Sequence, residues 1–235
     1  MKFIASLLAL SCLTGVTLFA QDSAPAPVTP SYSVAVDFSY ASKYVFRGVR
    51  YSEESFQPSL KLTSGSFYAC LWTNQPITSN TDNEIDLNGG YGFKLSDTWK
   101  LDVGATLYYY PELDKSTGLD SSTLEGYAGV TGTLGSFTAG LYAFRDFTLE
   151  NFTFQATIGY NVSLSAQATL SLLGTIGRVS PDGGDAYTYH GIGATVPCKL
   201  SDTATLTVGM QYATHNLALV DRRHFWGSVG VTVVF

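Results

Sequence analysis

Charged and amide side chains recur at alternate positions in several segments of the sequence. Groups of this kind hold water, pair with one another or bind ions, and opposed acidic and basic rows across a narrow space act on ions through a transverse field. Nine such positions share the polar face of their segments: Asp37, Lys43, Arg47, Lys61, Asp86, Asn88, Lys100, Asp102 and Glu125. What they do depends on the structure that brings their segments together.

Hydrolytic chemistry is the main alternative use of the polar residues. Its candidates are three histidines, two acids that could orient them and two serine nucleophiles: His190, His215, His224, Asp146, Asp221, Ser180 and Ser228. No nucleophile elbow, HExxH motif or phosphate-binding glycine loop accompanies them. We therefore predict that the protein is not an enzyme and has no catalytic, cofactor-binding or metal-binding residues.

The elements that carry these residues have a period of two, which is typical of strands. Phe152, Phe154 and Ile158, for example, alternate with Thr153 and Gln155. The pattern predicts twelve strands, at 32–49, 56–64, 66–74, 84–95, 99–110, 122–134, 136–147, 150–164, 166–178, 185–197, 203–214 and 224–235.

Three features indicate that the apolar face of these strands meets lipid. The apolar rows are about 9–11 residues long, which is enough to cross a bilayer at a tilt. Short and long connections alternate along the chain, as in outer-membrane barrels. Aromatic residues cluster near strand ends, as in an interfacial girdle: Tyr32, Tyr44, Phe46, Trp99, Tyr109, Phe152 and Phe235. We predict an all-β fold, a transmembrane antiparallel up-and-down β-barrel of about twelve strands.

The last strand, Gly227-Ser-Val-Gly-Val-Thr-Val-Val-Phe235, alternates to the final residue. An open sheet edge in hydrocarbon would leave backbone groups without hydrogen bonds. We therefore expect this strand to close the barrel by pairing with the first strand. It resembles the C-terminal signal by which bacterial outer-membrane proteins are recognised, so the barrel-assembly machinery is a predicted partner.

The N-terminus has the pattern of an export signal. We predict a signal peptide at 1–20, a flexible lead-in at 21–31 and a single outer-membrane barrel at 32–235. A lipoprotein signal acylated at Cys12 is the alternative, and Cys70 and Cys198 could pair or stay separate. The net charge of −6 argues against a nucleic-acid partner.

Several short segments together resemble the TorF-type porins, a bacterial family known mostly by prediction. They are Ser42-Lys-Tyr-Val-Phe-Arg-Gly48, Gly65-Ser-Phe-Tyr68, Glu84-Ile-Asp-Leu87 before Gly90-Tyr91, Tyr109-Tyr-Pro111 and Leu124-Glu-Gly-Tyr-Ala-Gly-Val130. Cys70 and Leu71 before Trp72, and Glu112 after Pro111, depart from the family's pattern. The resemblance implies an outer-membrane β-barrel with a channel role and brings no catalytic residues.

On these grounds we predict a porin-like channel in the bacterial outer membrane, in contact with its lipid, for passive diffusion of small hydrophilic solutes or ions. The nine polar positions would line the pore, and an oligomer is compatible with this arrangement. If they pair with one another instead, the barrel is filled and has a structural or adhesive role. Arg47 either faces the lumen or binds anionic lipid at the headgroup level.

Overall fold

The computed structural model describes residues 32–78, 81–113, 116, 120–218 and 220–235. The predicted signal peptide and lead-in, with Cys12, lie outside the described residues. Fifteen strands are described: β1 Ser33–Ala41, β2 Tyr44–Phe46, β3 Val49–Ser52, β4 Ser55–Phe56, β5 Ser59–Ser64, β6 Phe67–Pro76, β7 Glu84–Lys94, β8 Trp99–Tyr109, β9 Ser122–Leu134, β10 Phe137–Asp146, β11 Phe152–Ser163, β12 Thr169–Ser180, β13 Tyr187–Lys199, β14 Ala204–His215 and β15 Arg223–Val234. Within the described part of the chain, no helix is long and apolar enough to cross a bilayer.

Thirteen of these strands form one closed antiparallel barrel. The barrel has twelve strand positions, because β4 and β5 lie end to end between β1 and β6 and together occupy one position. The ring closes where β15 pairs with β1, from Ala35 opposite Val234 to Ala41 opposite Ser228. The predicted fold class is therefore confirmed, and the C-terminal strand is the closing strand. We call the end where β1 begins and β15 ends the lower end, and the opposite end the upper end.

The barrel wall separates two kinds of side chain. The outward positions are apolar and exposed, among them Phe38, Leu87, Phe154, Ile158 and Ile192. The inward positions include buried acids, amides, threonines and tyrosines. Successive residues of a strand point to opposite faces, so the alternation in the sequence becomes an apolar outer surface around a polar interior.

The two copies of Lys-Leu-Ser-Asp-Thr form equivalent turns at the lower end. In the first copy, Lys94 and Asp97 form an ion pair of 2.7 Å, and Ser96 Oγ accepts the backbone N–H of Trp99 at 3.1 Å. The second copy repeats this arrangement with Lys199 and Asp202 at 2.9 Å. A hydrogen bond from the lysine, reinforced by its charge, lowers the pKa of each aspartate below its ordinary value.

The prediction of a first strand at 32–49 is wrong beyond Ala41. At Ser42 the chain leaves the wall, although the Ser42 N–H still donates to Gly227 O at 2.9 Å. It forms the short hairpin β2–β3 and returns to the wall at β4, where Phe56 lies opposite Tyr40. We call residues 42–54 the lumen hairpin, because it folds into the barrel interior.

Candidate functional site in the barrel lumen

The lumen hairpin turns at Arg47 and Gly48. Phe46 pairs with Val49, so these two residues form the whole turn, and both have positive φ, 46° and 83°. Two-residue turns with positive φ at both positions match the twist of the strands that they join. Gly48 is also tightly enclosed, since an added Cβ would lie 2.8 Å from Tyr189 Cβ and 3.0 Å from Thr214 O.

The hairpin reaches across the barrel. On one side, its Tyr44 hydroxyl donates to Glu84 of β7 at 3.3 Å, and Arg47 contacts Glu125 of β9. On the other side, Gly48 approaches β13 and β14. These strands lie on different sides of the ring, so the hairpin occupies the upper part of the lumen.

Arg47 and Glu125 hold the tip of the hairpin in place. The Arg47 guanidinium donates from Nη1 and Nη2 to the two carboxylate oxygens, each at 2.9 Å, and the side chains are only 4% and 3% exposed. The guanidinium lies over the rings of Phe46 and Phe144, at 4.6 and 4.8 Å from their centroids. Arginine is not deprotonated in proteins, so this buried group is a permanent cation.

A layer of tyrosines surrounds Asp102 below the hairpin. Tyr68 of β6 and Tyr142 of β10 donate to the two Asp102 oxygens at 2.8 and 3.1 Å. The hydroxyls of Tyr68 and Tyr127 lie 2.5 Å apart. These hydrogen bonds join strands that are not neighbours in the wall. All the partners must therefore lie on the concave face of the wall, inside the barrel.

Each of these tyrosines faces a glycine on the neighbouring strand. Tyr68 pairs with Gly90, Tyr127 with Gly104 and Tyr142 with Gly129. A Cβ at any of these glycines would collide with the tyrosine ring. The glycines therefore let the rings lie against the wall instead of projecting across the lumen.

The lumen face of β7 carries a row of oxygen acceptors. Glu84, Asp86 and Asn88 are buried at alternate positions of the strand. Asn88 Nδ2 donates to Thr106 Oγ1 at 2.8 Å and to Tyr127 Oη at 3.1 Å, which fixes the orientation of its amide. Asp86 Oδ1 and Asn88 Oδ1 are buried and have no hydrogen-bond partner.

The lower part of the lumen is less filled by side chains. Leu173 of β12 has the inward parity of Thr175 and the buried Val179, yet 39% of its surface is exposed. Its partly exposed inward neighbours on other strands are small, for example Thr157 and Gly193. The space below the tyrosine layer is therefore open to solvent and lined mainly by threonine and glycine on this side.

The nine predicted pore-lining residues fall into three groups. Buried in the lumen are Arg47, Asp86, Asn88, Asp102 and Glu125. Partly buried are Asp37, which accepts from Thr232 Oγ1 at 2.8 Å, Lys61, whose Nζ lies 5.8 Å from the Tyr68 ring, and Lys43, whose Nζ donates to Phe225 O at 3.3 Å. Lys100 is exposed near the lower rim. Of this set, only Arg47 and Glu125 form an ion pair.

Two interpretations of the first strand change accordingly. Arg47 is buried against Glu125, so the alternative that it binds lipid headgroups is wrong. Tyr44 and Phe46 pack inside the lumen with Trp72 and Tyr108 and do not belong to an interfacial girdle. The strands of an inward hairpin and a strand of the barrel wall have the same alternation of side chains. The sequence alone therefore does not distinguish the two.

No candidate histidine among the residues that the structure describes is hydrogen-bonded to the side chain of a candidate acid or serine. His215 Nε2 donates to Asp221 O at 2.9 Å, and its Nδ1 accepts the Leu217 N–H at 3.1 Å, so backbone groups occupy both ring nitrogens. His190 is exposed on the outward face. Among the described residues, no group of three or more His, Cys, Asp or Glu side chains is placed to hold a metal ion. Cys70 and Cys198 lie on β6 and β13 and are not joined by a disulfide.

Sequence reasoning missed Glu84 and the tyrosine layer. Glu84 shares the parity of Asp86, so the alternation alone would have placed it inside. Tyrosine suits both a lipid interface and a polar lumen, so the residue type at Tyr127 and Tyr142 does not show which side of the wall the ring faces. Their pairing with glycines across the strands is the signal that could have located them.

Comparisons with known proteins agree with this architecture. The sequence profile of a family described as "Bacterial protein of unknown function (Gcw_chp)" matches residues 21–228. A search of curated proteins finds no matching sequence. A solved KdgM porin in complex with disordered oligogalacturonate superposes with a TM-score of 0.59 at 11% identity, covering 86% of this chain and 99% of the porin.

Two further channels have the same fold. The NanC porin has a TM-score of 0.56 at 13% identity, covering 85% of this chain and 98% of its own. The COG4313 outer-membrane channel from Pseudomonas putida F1 has a TM-score of 0.51 at 13% identity, covering 92% of this chain and all of its own, 100%. At these identities the likeness establishes an outer-membrane porin-like fold.

Proposed function

We propose that this chain, which belongs to the Gcw_chp family of bacterial proteins, is a porin-like channel of the outer membrane. It passes small hydrophilic solutes or ions by passive diffusion. The observation that carries the proposal is the closed barrel with an apolar outer surface and a polar, charged interior. Such a barrel is stable only where its outer surface meets hydrocarbon and its interior stays wet.

The location follows from the same features. The predicted export signal and the Phe-terminated closing strand are those of a protein that the barrel-assembly machinery inserts. The motifs that resemble TorF-type porins support the same assignment. A porin of this fold, KdgM, is known in complex with oligogalacturonate, so the fold can accommodate a hydrophilic oligomer.

The nine polar residues support a solute path in different ways. Asp86, Asn88 and Asp102 line the lumen wall, Asp37 and Lys61 lie on inward positions, and Lys100 lies near the lower rim. Arg47 and Glu125 fix the constriction formed by the lumen hairpin, and Lys43 lies near the base of that hairpin.

A filled, structural barrel is the second candidate, and the lumen hairpin is the observation that favours it. Tyr44, Phe46 and Arg47 are buried in the upper lumen, where they take space that a solute would need. If no water path passes beside the hairpin, the protein has a structural or adhesive role in the membrane and does not transport solutes.

Conductance in planar bilayers separates the two candidates. Purified, refolded protein should produce discrete current steps in KCl, and it should make liposomes permeable to small sugars. A barrel that inserts, as shown by protection from protease, but gives neither signal is a filled barrel. Release of fatty acid or peptide fragments that depends on a histidine would instead indicate a hydrolase.

A further inference from the structure

The buried charges of the described barrel are strongly unbalanced. Five buried carboxyl side chains, Glu84, Asp86, Asp102, Glu125 and Asp146, face a single buried cation, Arg47. Arg47 donates two hydrogen bonds to Glu125, so its charge is already compensated there. Among the described lysines and arginines, none lies within 4.0 Å of the other four carboxyl groups.

Asp146 has a local structural role. Its Oδ1 accepts the backbone N–H groups of Thr148 and Leu149, at 2.9 and 2.7 Å, where the connection after β10 begins. It therefore shapes a turn at the upper end. The other three carboxyl groups lie on β7 and β8 and have no such backbone partners.

These three groups and Asn88 form a column along the lumen wall. Glu84, Asp86 and Asn88 follow one another on the same face of β7. Asn88 lies opposite Thr106, and Gly92 lies opposite Asp102, so Asp102 continues the column towards the lower end. Two members present acceptors without a partner, Asp86 Oδ1 and Asn88 Oδ1, although these side chains are only 3% and 5% exposed.

We propose that this column is a cation track, so that the channel carries small hard cations, such as alkali-metal ions, in preference to anions. The inference rests on the proposed channel function. Buried carboxylates without a counter-charge are unfavourable. Glu84 and Asp86 hydrogen-bond to each other and so share a proton, and a mobile cation in the lumen supplies the remaining counter-charge. Carboxylate and amide oxygens are the ligands that hard cations prefer.

The spacing of the column suits transit. Glu84, Asp86 and Asn88 are alternate residues of one strand and are separated by roughly 7 Å, so one ion contacts at most two of them. Asp102 lies level with Gly92, roughly 13 Å along the strand from Asn88. Weak binding at several neighbouring sites allows ions to enter and leave. The opposite wall carries no opposing charge at this level, since its inward residues Gln155, Thr157 and Gln211 are neutral.

The lysine side chains on or near the lumen do not neutralise the negative charge of the column. Lys61 lies over the Tyr68 ring, and its Nζ is 5.8 Å from the ring centroid. Lys43 donates to Phe225 O near the upper end, and Lys100 is exposed near the lower rim. The negative charge is therefore greatest in the narrow, buried part of the lumen.

The test is the zero-current potential of the inserted protein in a KCl gradient across a planar bilayer. The wild type should favour K⁺ over Cl⁻ on the order of tenfold, as expected for counter-ion focusing in an acidic cleft. Glu84→Gln with Asp86→Asn should bring the ratio towards one. Asp97→Asn is the matched control, because it removes a carboxylate from an exposed lower turn and should leave the ratio unchanged.

Each outcome bears on a different claim. Discrete current steps with a preference for Cl⁻, or with none, overturn the cation track and leave the channel intact. A correctly inserted wild type without any current overturns the channel and the track together. If the double variant does not fold, the sign of the wild-type potential still decides, and Asp86→Asn alone repeats the test at the carboxylate with a free acceptor.

Discussion

At the scale of single residues, Arg47 combines two unusual features. It adopts positive φ in the turn and is one of the few fully buried charged side chains. Removing one partner of a buried ion pair leaves the other charge without compensation, which is more costly than losing both. Arg47 and Glu125 are therefore best understood as one unit that anchors the hairpin.

We expect Glu125→Gln to lower the free energy of unfolding by about 3 kcal/mol, since Arg47 stays buried without its carboxylate. Urea unfolding in lipid vesicles, followed by tryptophan fluorescence, measures the change. Asp202→Asn breaks an exposed ion pair in a lower turn and should have no measurable effect. If Glu125→Gln unfolds at the wild-type urea concentration, the pair does not anchor the hairpin.

Gly48→Ala should also destabilise the hairpin, by roughly 1–3 kcal/mol for positive φ in a non-glycine residue, with steric strain in addition. The added methyl group would lie 3.0 Å from Thr214 O, and a backbone atom of the barrel wall cannot easily move away. The same unfolding assay measures the loss. Gly65→Ala is a useful control, because Gly65 has a φ of 57° but no atom within 4 Å of an added Cβ. Equal losses in the two variants would exclude a steric contribution at Gly48.

At the scale of elements, the lumen hairpin fills part of the upper lumen. It interrupts the wall between β1 and β4, yet the wall stays continuous because β4 pairs with both β1 and β6. The hairpin can therefore be removed in principle without opening a seam in the barrel.

Replacing residues 43–53 with a Gly-Ser pair should raise the single-channel conductance severalfold, because the constriction is removed while the wall is kept. Shortening the exposed connection at 181–184 is the control and should leave the conductance unchanged. Planar-bilayer recording measures both. Unchanged conductance without the hairpin would mean that the narrowest part of the path lies elsewhere.

At the scale of the whole molecule, the decisive property is the opposite polarity of the two barrel surfaces. Ile158 and Thr157 are neighbours on β11, yet Ile158 is 61% exposed on the apolar outer surface, whereas Thr157 faces the lumen. The proposed insertion into a bilayer makes the first environment favourable for isoleucine.

This arrangement predicts different outcomes for the same substitution at the two positions. Ile158→Arg should lower the free energy of unfolding in vesicles by about 2–4 kcal/mol if the residue lies near the bilayer midplane. Thr157→Arg, which adds the same charge on the lumen side, should cost less. Equal costs, or the reverse order, would contradict insertion of the outer surface into lipid.

The sequence by itself determined most of the barrel. A period of two reports which side chains share a face, and the apolar terminal strand had to find a partner because an open edge in hydrocarbon is prohibitive. The ranges from β6 to β15 and the pairing of β15 with β1 follow from these local facts. So does the inward position of Asp86, Asp102 and Glu125.

Only the tertiary structure decided what fills the lumen. Alternation shows only which side chains share a face of one strand. Residues 44–52 alternate whether they continue the first strand of the wall or fold inward as a hairpin. The inward course depends on partners that are distant in the chain, such as Glu125 for Arg47 and Tyr189 for Gly48. No local pattern encodes a contact between residues 78 positions apart, since it forms only when the closed ring brings β9 opposite the hairpin.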